Sequence, residues 1–389
     1  MKKLLCLLIL LKVFLTTWPV MADASINGRW LDYYEEGDSV RVDKGVSVTT
    51  RTANERAGAY LKTGLWRWDL SNSVITFRVK VSNWRDVHTM IFVVGSSGLK
   101  FEKSATFNIK QRIIGASNNE WVEISIPQSA WIIDGDVDWA NINSILFAVA
   151  DLGYQRITAE IANIKITKIP QTIQQPIITI SFDDGLKDTI IGASIMEKFN
   201  VIGTAFIDPA TIDTDNFMSN DDVINLIFKG WDISGHKIGN LAKLSAPELH
   251  DHVNSTSDYL KDIGSPGYAQ YALPNGIRSG AIMAELNSKF KYVFNINGMA
   301  NSPTATLFSS INRHSIDKHT SLALAKKWVD DCVKYNEWTI INFHSFSNDW
   351  KNEEDWSEED FTELLSYIKS KNVPIVPASV VIKNIDVPM

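Results

Sequence analysis

The stretch Ile177-Ile178-Thr179-Ile180-Ser181-Phe182-Asp183-Asp184-Gly185 constrains this chain more than any other. A run of mostly β-branched apolar residues, bounded by Pro176 and Gly185, reads as a strand of a parallel sheet buried on both faces. Two adjacent carboxylates follow it. They then sit at the C-terminal edge of the strand, which in barrel folds is where catalytic side chains gather. Neighbouring acids repel unless a cation or a shared proton relieves them. Asp-Gly is also ordinary turn chemistry, and that alternative stands beside the first.

Upstream of this strand the chain changes character twice. Lys2 and Lys3 precede the apolar run Leu4 to Leu11, and Val20-Met21-Ala22 offers small residues for cleavage, so residues 1–22 read as an export signal. The run is too short to span a bilayer unless retained as an atypical anchor. We therefore expect a periplasmic or secreted protein with no stable membrane insertion after cleavage. Cys332 is then the only cysteine of the mature chain, and its helical surroundings suggest a buried, inert thiol. With 389 residues, 45% of them hydrophobic, there is material for two cores. A net charge of -7 without a basic stripe argues against nucleic acid as a partner.

Residues 23–167 show period-two patterning. Ile75, Phe77, Val79 and Val81 alternate with Thr76, Arg78 and Lys80, and similar runs cover 40–43, 90–94, 122–126, 145–149 and 157–166. Short strands at a spacing of about ten residues, without a long helix, indicate an all-β sandwich. The region resembles the jelly-roll modules that accompany carbohydrate-active enzymes, through Leu70-Ser71, Glu120-Trp121 and Trp139 with the strand after it. Trp66, Trp68, Trp84, Trp121, Trp131 and Trp139 either stack on sugar faces or fill the core. A short linker, 168–176, follows.

From residue 177 to 389 strand and helix alternate. Strands are expected at 177–182, 203–208, 232–234, 269–273, 292–296, 339–343 and 374–376. Helices are expected after the first strand as far as Phe199 and then at 221–229, 246–262, 280–290, 322–335 and 358–371. Ser245 and Ser357 serve as N-caps. Repeated βα units imply an α/β fold, a (β/α) barrel that is irregular or short of eight units. Polar residues at the strand ends would then share one mouth: Asp183 and Asp184, His236, Pro274-Asn275-Gly276, and His344. His250 and His252 fall on a helix and read as solvated surface.

These strand-end segments resemble, in order and spacing, the motifs of the polysaccharide deacetylases of the NodB-homology type, carbohydrate esterase family four. The matching stretches are Ser181 to Gly185, Gly230 to His236, Tyr271 to Gly276, and Ile340 to His344. Tyr271-Ala272-Leu273-Pro274-Asn275-Gly276 is most similar to the poly-N-acetylglucosamine deacetylase subgroup. The resemblance implies hydrolysis of N-acetyl groups on an amino-sugar polysaccharide, assisted by a divalent metal, zinc or else cobalt, nickel or manganese. It implies Asp184 and His236 as metal ligands, Asp183 as general base and His344 as general acid. The backbone N–H of Asn275, after Pro274, would be an oxyanion donor.

Two positions depart from that pattern. Where the family has a second ligand histidine this chain has Asn240, whose amide oxygen is a weaker zinc ligand and favours a harder ion. The arginine of many members is replaced by Ala272, leaving Arg278 or Arg313 to orient Asp183. Trp350, near the acidic run Glu353-Glu354-Asp355, would stack on a sugar ring or form a hydrophobic lid. The alternatives to N-deacetylation are an O-acetyl esterase on a polysaccharide, and a glycan-binding protein whose catalysis is impaired by Asn240.

Overall fold

The computed structural model describes residues 20–21, 26, 29–34, 37–51, 54–63, 67–100, 103–113, 115–169, 175–303, 306–347 and 352–385. The expected export signal lies almost wholly outside them, as do Trp66 and the middle of the expected linker. The described residues form two compact units, one holding those up to Lys110 together with Trp121–Ile169, the other holding Gln111–Glu120 and those from 175 onward. Among them no helix is long and apolar enough to cross a membrane.

The first unit is the expected sandwich. A five-stranded antiparallel sheet runs in the order β8 (Val122–Ile126), β5 (Ser73–Val81), β11 (Thr158–Lys168), β3 (Gly45–Thr50), β2 (Gly37–Val42). A six-stranded antiparallel sheet runs β9 (Ile132–Gly135), β7 (Lys103–Asn108), β6 (Val87–Gly95), β10 (Ser144–Asp151), β4 (Arg56–Lys62), β1 (Leu31–Asp32). The period-two pattern lands as it should: Ile75, Phe77, Val79 and Val81 are buried while Arg78 and Lys80 lie over the Trp121 ring, 5.3 and 5.0 Å from its centre. Trp68, Trp84 and Trp131 are core residues, and Trp139 packs edge-on against Trp131. Trp121 and Trp139 are half-buried.

The second unit is a closed barrel of seven parallel strands in chain order. These are β12 (Ile177–Phe182), β13 (Thr204–Ile207), β14 (Asp232–Gly235), β15 (Gln270–Ala272), β16 (Tyr292–Ile296), β17 (Ile311–Ser315) and β18 (Trp338–Phe343), the last pairing back onto β12. Around them lie α1 (Asp188–Lys198), α2 (Asn220–Phe228), α3 (Ala246–Asp262), α4 (Gly280–Asn287), α5 (Leu322–Tyr335), α6 (Glu358–Ser370) and α7 (Ala378–Ile385). Ser245 and Ser357 cap α3 and α6 as expected, accepting from the N–H groups of Glu248 and Asp360.

The strands alternate between two environments. Ile178, Ile180 and Phe182 of β12 pack outward among the helices, together with Ile233, Tyr271, Val293 and Ile341. Phe206, Ala272, Phe294, Ile311, Trp338 and Ile340 fill the barrel interior against Ala378, Val381 and Ile382 of α7. Asp232, at the start of β14, fastens α7 there, accepting from Ser379 N (2.7 Å) and Ser379 Oγ (2.6 Å). Burial without a cationic partner raises its carboxyl above the usual range, opposed by these donors.

Two expectations are corrected. The segment 374–376 is not a strand of the barrel: Ile375 makes a single bridge to Ile178. The seventh strand is instead β17, in a stretch where the sequence suggested no element. It escapes the βα rhythm because the described residues between β16 and β17 contain no helix. The side chain of Asn301 pairs with β17 as a neighbouring strand would, its Oδ1 accepting from Asn312 N and its Nδ2 donating to Asn312 O, both at 2.8 Å.

His314 of β17 is buried and stacks on Trp328 of α5, ring centres 4.4 Å apart. Burial, with Arg112 and Lys327 adding repulsion, lowers its pKa from 6.5 to about 3. The folded state thus binds fewer protons here than the unfolded chain between those values. Stability should fall as pH drops from about 6.5 towards 3, by on the order of 4–5 kcal/mol in total from this group. Urea denaturation at several pH values should show this slope, and His314→Phe should flatten it; an unchanged slope would refute the assignment.

Candidate active site at the barrel mouth

The C-terminal edge of the barrel gathers the expected residues because the interior positions of each strand continue into its following loop. On β12 the interior series is Thr179, Ser181, Asp183; on β18 it is Ile340, Asn342, His344. Ser181 Oγ donates to Asn342 Oδ1 at 2.9 Å, tying the two series together. The chain must then turn sharply. Asp184 and Gly185 both take positive φ, 69° and 75°, and a Cβ at Gly185 would stand 3.2 Å from Ile207 Cγ2. This turn lets consecutive carboxylates enter different contacts.

Asp183 is buried and held by Arg313 of β17 through two hydrogen bonds, Nη1 to Oδ1 at 2.6 Å and Nη2 to Oδ2 at 2.9 Å. Arg313 is wholly buried, lies over the Phe206 ring at 4.9 Å, and also donates to Asn342 Oδ1 at 3.1 Å. Of the two arginines that could orient Asp183, the structure thus brings in Arg313. Arg278 Nη1 donates to Ser310 Oγ. Burial by itself would raise the Asp183 carboxyl, but Arg313, aided by His236 and His344, holds it below the usual carboxylate range.

Asp184 faces His236, with Oδ1 3.2 Å from Nε2. The other ring nitrogen of His236 lies 2.8 Å from Ala272 O, a pure acceptor, so Nδ1 carries a hydrogen. The free lone pair of Nε2 then meets a carboxylate oxygen, an arrangement that a proton or a bound cation would satisfy. Burial pulls the His236 pKa down, and the carboxylates Asp183 and Asp184 more than offset it, so the net direction is upward. The loop after His236 is pinned by buried Asp208 at the end of β13, which accepts from Lys237 Nζ at 3.0 Å and Ile238 N at 3.1 Å. Sequence patterning gave Asp208 no role; its position at a strand end, like those of Asp183 and His236, was the available signal.

His344 stands between carboxylates, its Nε2 4.0 Å from Asp183 Oδ2 and 4.0 Å from Glu354 Oε1. It is nine-tenths buried, and its Nδ1 has no partner among the described residues. Arg313 Nε and Asn342 Nδ2 are likewise buried without partners. Ligand atoms of Asp184, His344 and Glu354 lie within 4.8 Å of one another. Carboxylate and imidazole donors gathered so closely fit a divalent cation.

Asn240 Oδ1 accepts from Ala242 N at 2.8 Å, making it the N-cap of the turn Leu241–Lys243. Pro274-Asn275-Gly276 forms a tight turn at the end of β15, with Pro274 and Gly276 buried and Asn275 exposed at positive φ. Trp350 lies outside the described residues. The acidic run divides three ways. Glu353 pairs with Lys318 at 2.5 Å, Glu354 points to His344, and Asp355 is buried, accepting from Asn352 N at 2.9 Å. Trp356 is a core residue.

Three isolated groups also resolve. His250 is exposed against Glu285, as expected. His252 is not solvated surface: its Nε2 meets the hydroxyl of buried Tyr271 at 2.8 Å, and burial lowers its pKa to about 4. Cys332 is buried, donates to Glu337 O at 3.1 Å, and burial pushes its thiol up to about 11, as befits an inert thiol.

No protein-family model matches the chain, and no curated protein matches it. Solved structures do. The Xyl-CE4 domain of a multidomain xylanase from the hindgut metagenome of Trinervitermes trinervoides is 17% identical over 54% of this chain and 91% of that one, with a TM-score of 0.37. The chitin deacetylase of the fungal pathogen Colletotrichum lindemuthianum is 14% identical over 54% and 88%, TM-score 0.38. A family 4 carbohydrate esterase pseudoenzyme from Bacillus anthracis is 10% identical over 53% and 65%, TM-score 0.35.

Removing Arg313 would leave Asp183 buried and uncompensated. Arg313→Met should destabilise the protein by about 3–5 kcal/mol, and Arg313→Met with Asp183→Asn should recover part of that loss. Chemical denaturation of the three proteins checks this. Equal stabilities for Arg313→Met and the native chain would show the pair to be dispensable.

Proposed function

We propose that this chain is a metal-dependent hydrolase that removes N-acetyl groups from an amino-sugar polysaccharide. The observation that carries the reading is the convergence of Asp183, Asp184, His236 and His344 at one barrel mouth, with Asp184 and His236 in contact and His344 beside Asp183. Asp184 and His236 would hold the cation, which when bound polarises the acyl carbonyl and makes a water more acidic. The residues of the chain do the rest.

Asp183, kept ionised by Arg313, accepts a proton from the attacking water at its Oδ2. His344 Nε2, 4.0 Å from that oxygen, delivers a proton to the departing amine nitrogen. The exposed Asn275 turn offers its backbone N–H to the oxygen of the tetrahedral intermediate. Arg313 contributes by fixing the base rather than by touching substrate. We further propose export as the route by which the protein meets a polysaccharide, and Trp350 as a ring that stacks on sugar.

Acetate release decides among the readings. Metal-stripped protein resupplied with zinc, cobalt, nickel or manganese should release acetate from N-acetylglucosamine oligomers, and Asp183→Asn or His344→Ala should cut the rate by roughly 10²–10⁴-fold. Release from O-acetylated glycans alone would replace the reading with the esterase. Sugar binding without release from either substrate, with every metal, would leave the glycan-binding protein.

A further inference from the structure

Asp184 and His236 follow different strands, β12 and β14, and β13 lies between those strands in the barrel. Their 3.2 Å approach therefore depends on how the end of β13 holds its two neighbours. We propose that Asp208, the residue after β13, is the positioning residue that holds His236 against Asp184 for a shared cation. This rests on the metal-dependent reading above, and Asp208 acts through His236 without touching substrate.

Contacts from the end of β13 reach both ligand loops. On one side Ile207 fills the space beside the turn after Asp184: a Cβ built on Gly185 would stand 3.2 Å from Ile207 Cγ2 and 3.3 Å from Ile207 Cβ. On the other side Ile207 O accepts from His236 N at 2.8 Å, carrying the pairing of β13 with β14 past the last strand residue. Asp208 then takes over. Its Oδ2 accepts from Lys237 Nζ at 3.0 Å and from Ile238 N at 3.1 Å, on the two residues that follow His236. Its Oδ1 accepts from Ala210 N at 3.2 Å and caps the turn Pro209–Thr211 of its own loop. With both oxygens engaged, the carboxylate is fixed in rotation and ties the loop after β13 to the loop after β14.

Asp208 is 1% exposed. Burying a carboxylate costs more than burying an apolar side chain of similar size, so packing alone does not account for it. What its contacts fix is the main chain around a ligand. His236 Nδ1 donates to Ala272 O at 2.8 Å, which sets the tilt of the ring. Nε2 then faces Asp184 only while residues 236–238 stay in place, and those residues are what Asp208 grips. Removing a partner one step behind a metal ligand costs about 10–100-fold in affinity.

The test is cation affinity of the full chain without substrate, read by zinc competition with a chromophoric chelator, beside a thermal melt. Asp208→Ala should raise Kd for zinc at least about tenfold while the melt stays cooperative. Asp208→Asn keeps one accepting oxygen, and its Kd should fall between, at least about threefold above the native value. Ser321→Ala, which removes the cap of α5, should lower the melt and leave Kd unchanged. If Asp208→Ala does not melt cooperatively, Asp208→Asn decides: a raised Kd supports the proposal and a native Kd overturns it. Native affinity in both Asp208 variants, with binding lost in Asp184→Asn, would overturn the role of Asp208 and leave the metal-dependent reading standing. A rise in Ser321→Ala equal to that in Asp208→Ala would reduce the effect to general destabilisation and also overturns the proposal. No cation binding by the native chain would overturn both.

Discussion

A buried guanidinium and a buried carboxylate, Arg313 and Asp183, share two hydrogen bonds inside the barrel, and much of the upper half of the fold is arranged around them. Neither charge could remain there alone, since taking an ion out of water costs several kcal/mol unless a partner and further hydrogen bonds compensate. The pair joins strands that are not neighbours: β12 and β17 are separated by β18, whose Asn342 bonds both Arg313 and Ser181. Closure of the barrel and placement of the carboxylate are therefore one event. The same contact that locks the last strands fixes the charge on which the proposed chemistry relies.

Two buried aspartates show how environment sets ionisation. Asp183 faces a permanent cation and is held low; Asp232, at the opposite end of the barrel, meets only neutral donors from Ser379, Gln270 and Thr204 and is pushed up. One serves as a fixed negative charge at the mouth, the other as a polar fastener for α7. Between them lies an apolar plug of Phe206, Phe294, Trp338 and Ile340. The interior is thus layered, polar at both ends and dry in the middle.

The mouth was legible wherever an apolar strand ended in a polar residue, as at Asp183, His236 and His344, because a hydrophobic run marks the strand and its last residue marks the edge. It was not legible at β17. Ile311-Asn312-Arg313-His314-Ser315 holds one apolar residue in five, since its interior face carries the ion pair and its exterior face the His314–Trp328 stack. Asn312 is satisfied by Asn301, a contact eleven residues away that no periodicity displays. In the first unit Trp131 packs against Phe92, Phe107 and Trp139.

The sequence by itself determined the two-part architecture, the alternation of strand and helix, and the identity of the strand-end acids and histidines, because these follow from local pattern and turn chemistry. Only the tertiary structure decided which arginine orients Asp183, that Asn240 caps a turn, and that Glu354 approaches the mouth. The physical reason is common to all three. Each depends on which polar atoms meet across strands or loops distant in the chain, and hydrogen-bond partners at such separations are chosen by closure of the barrel rather than by spacing along the sequence.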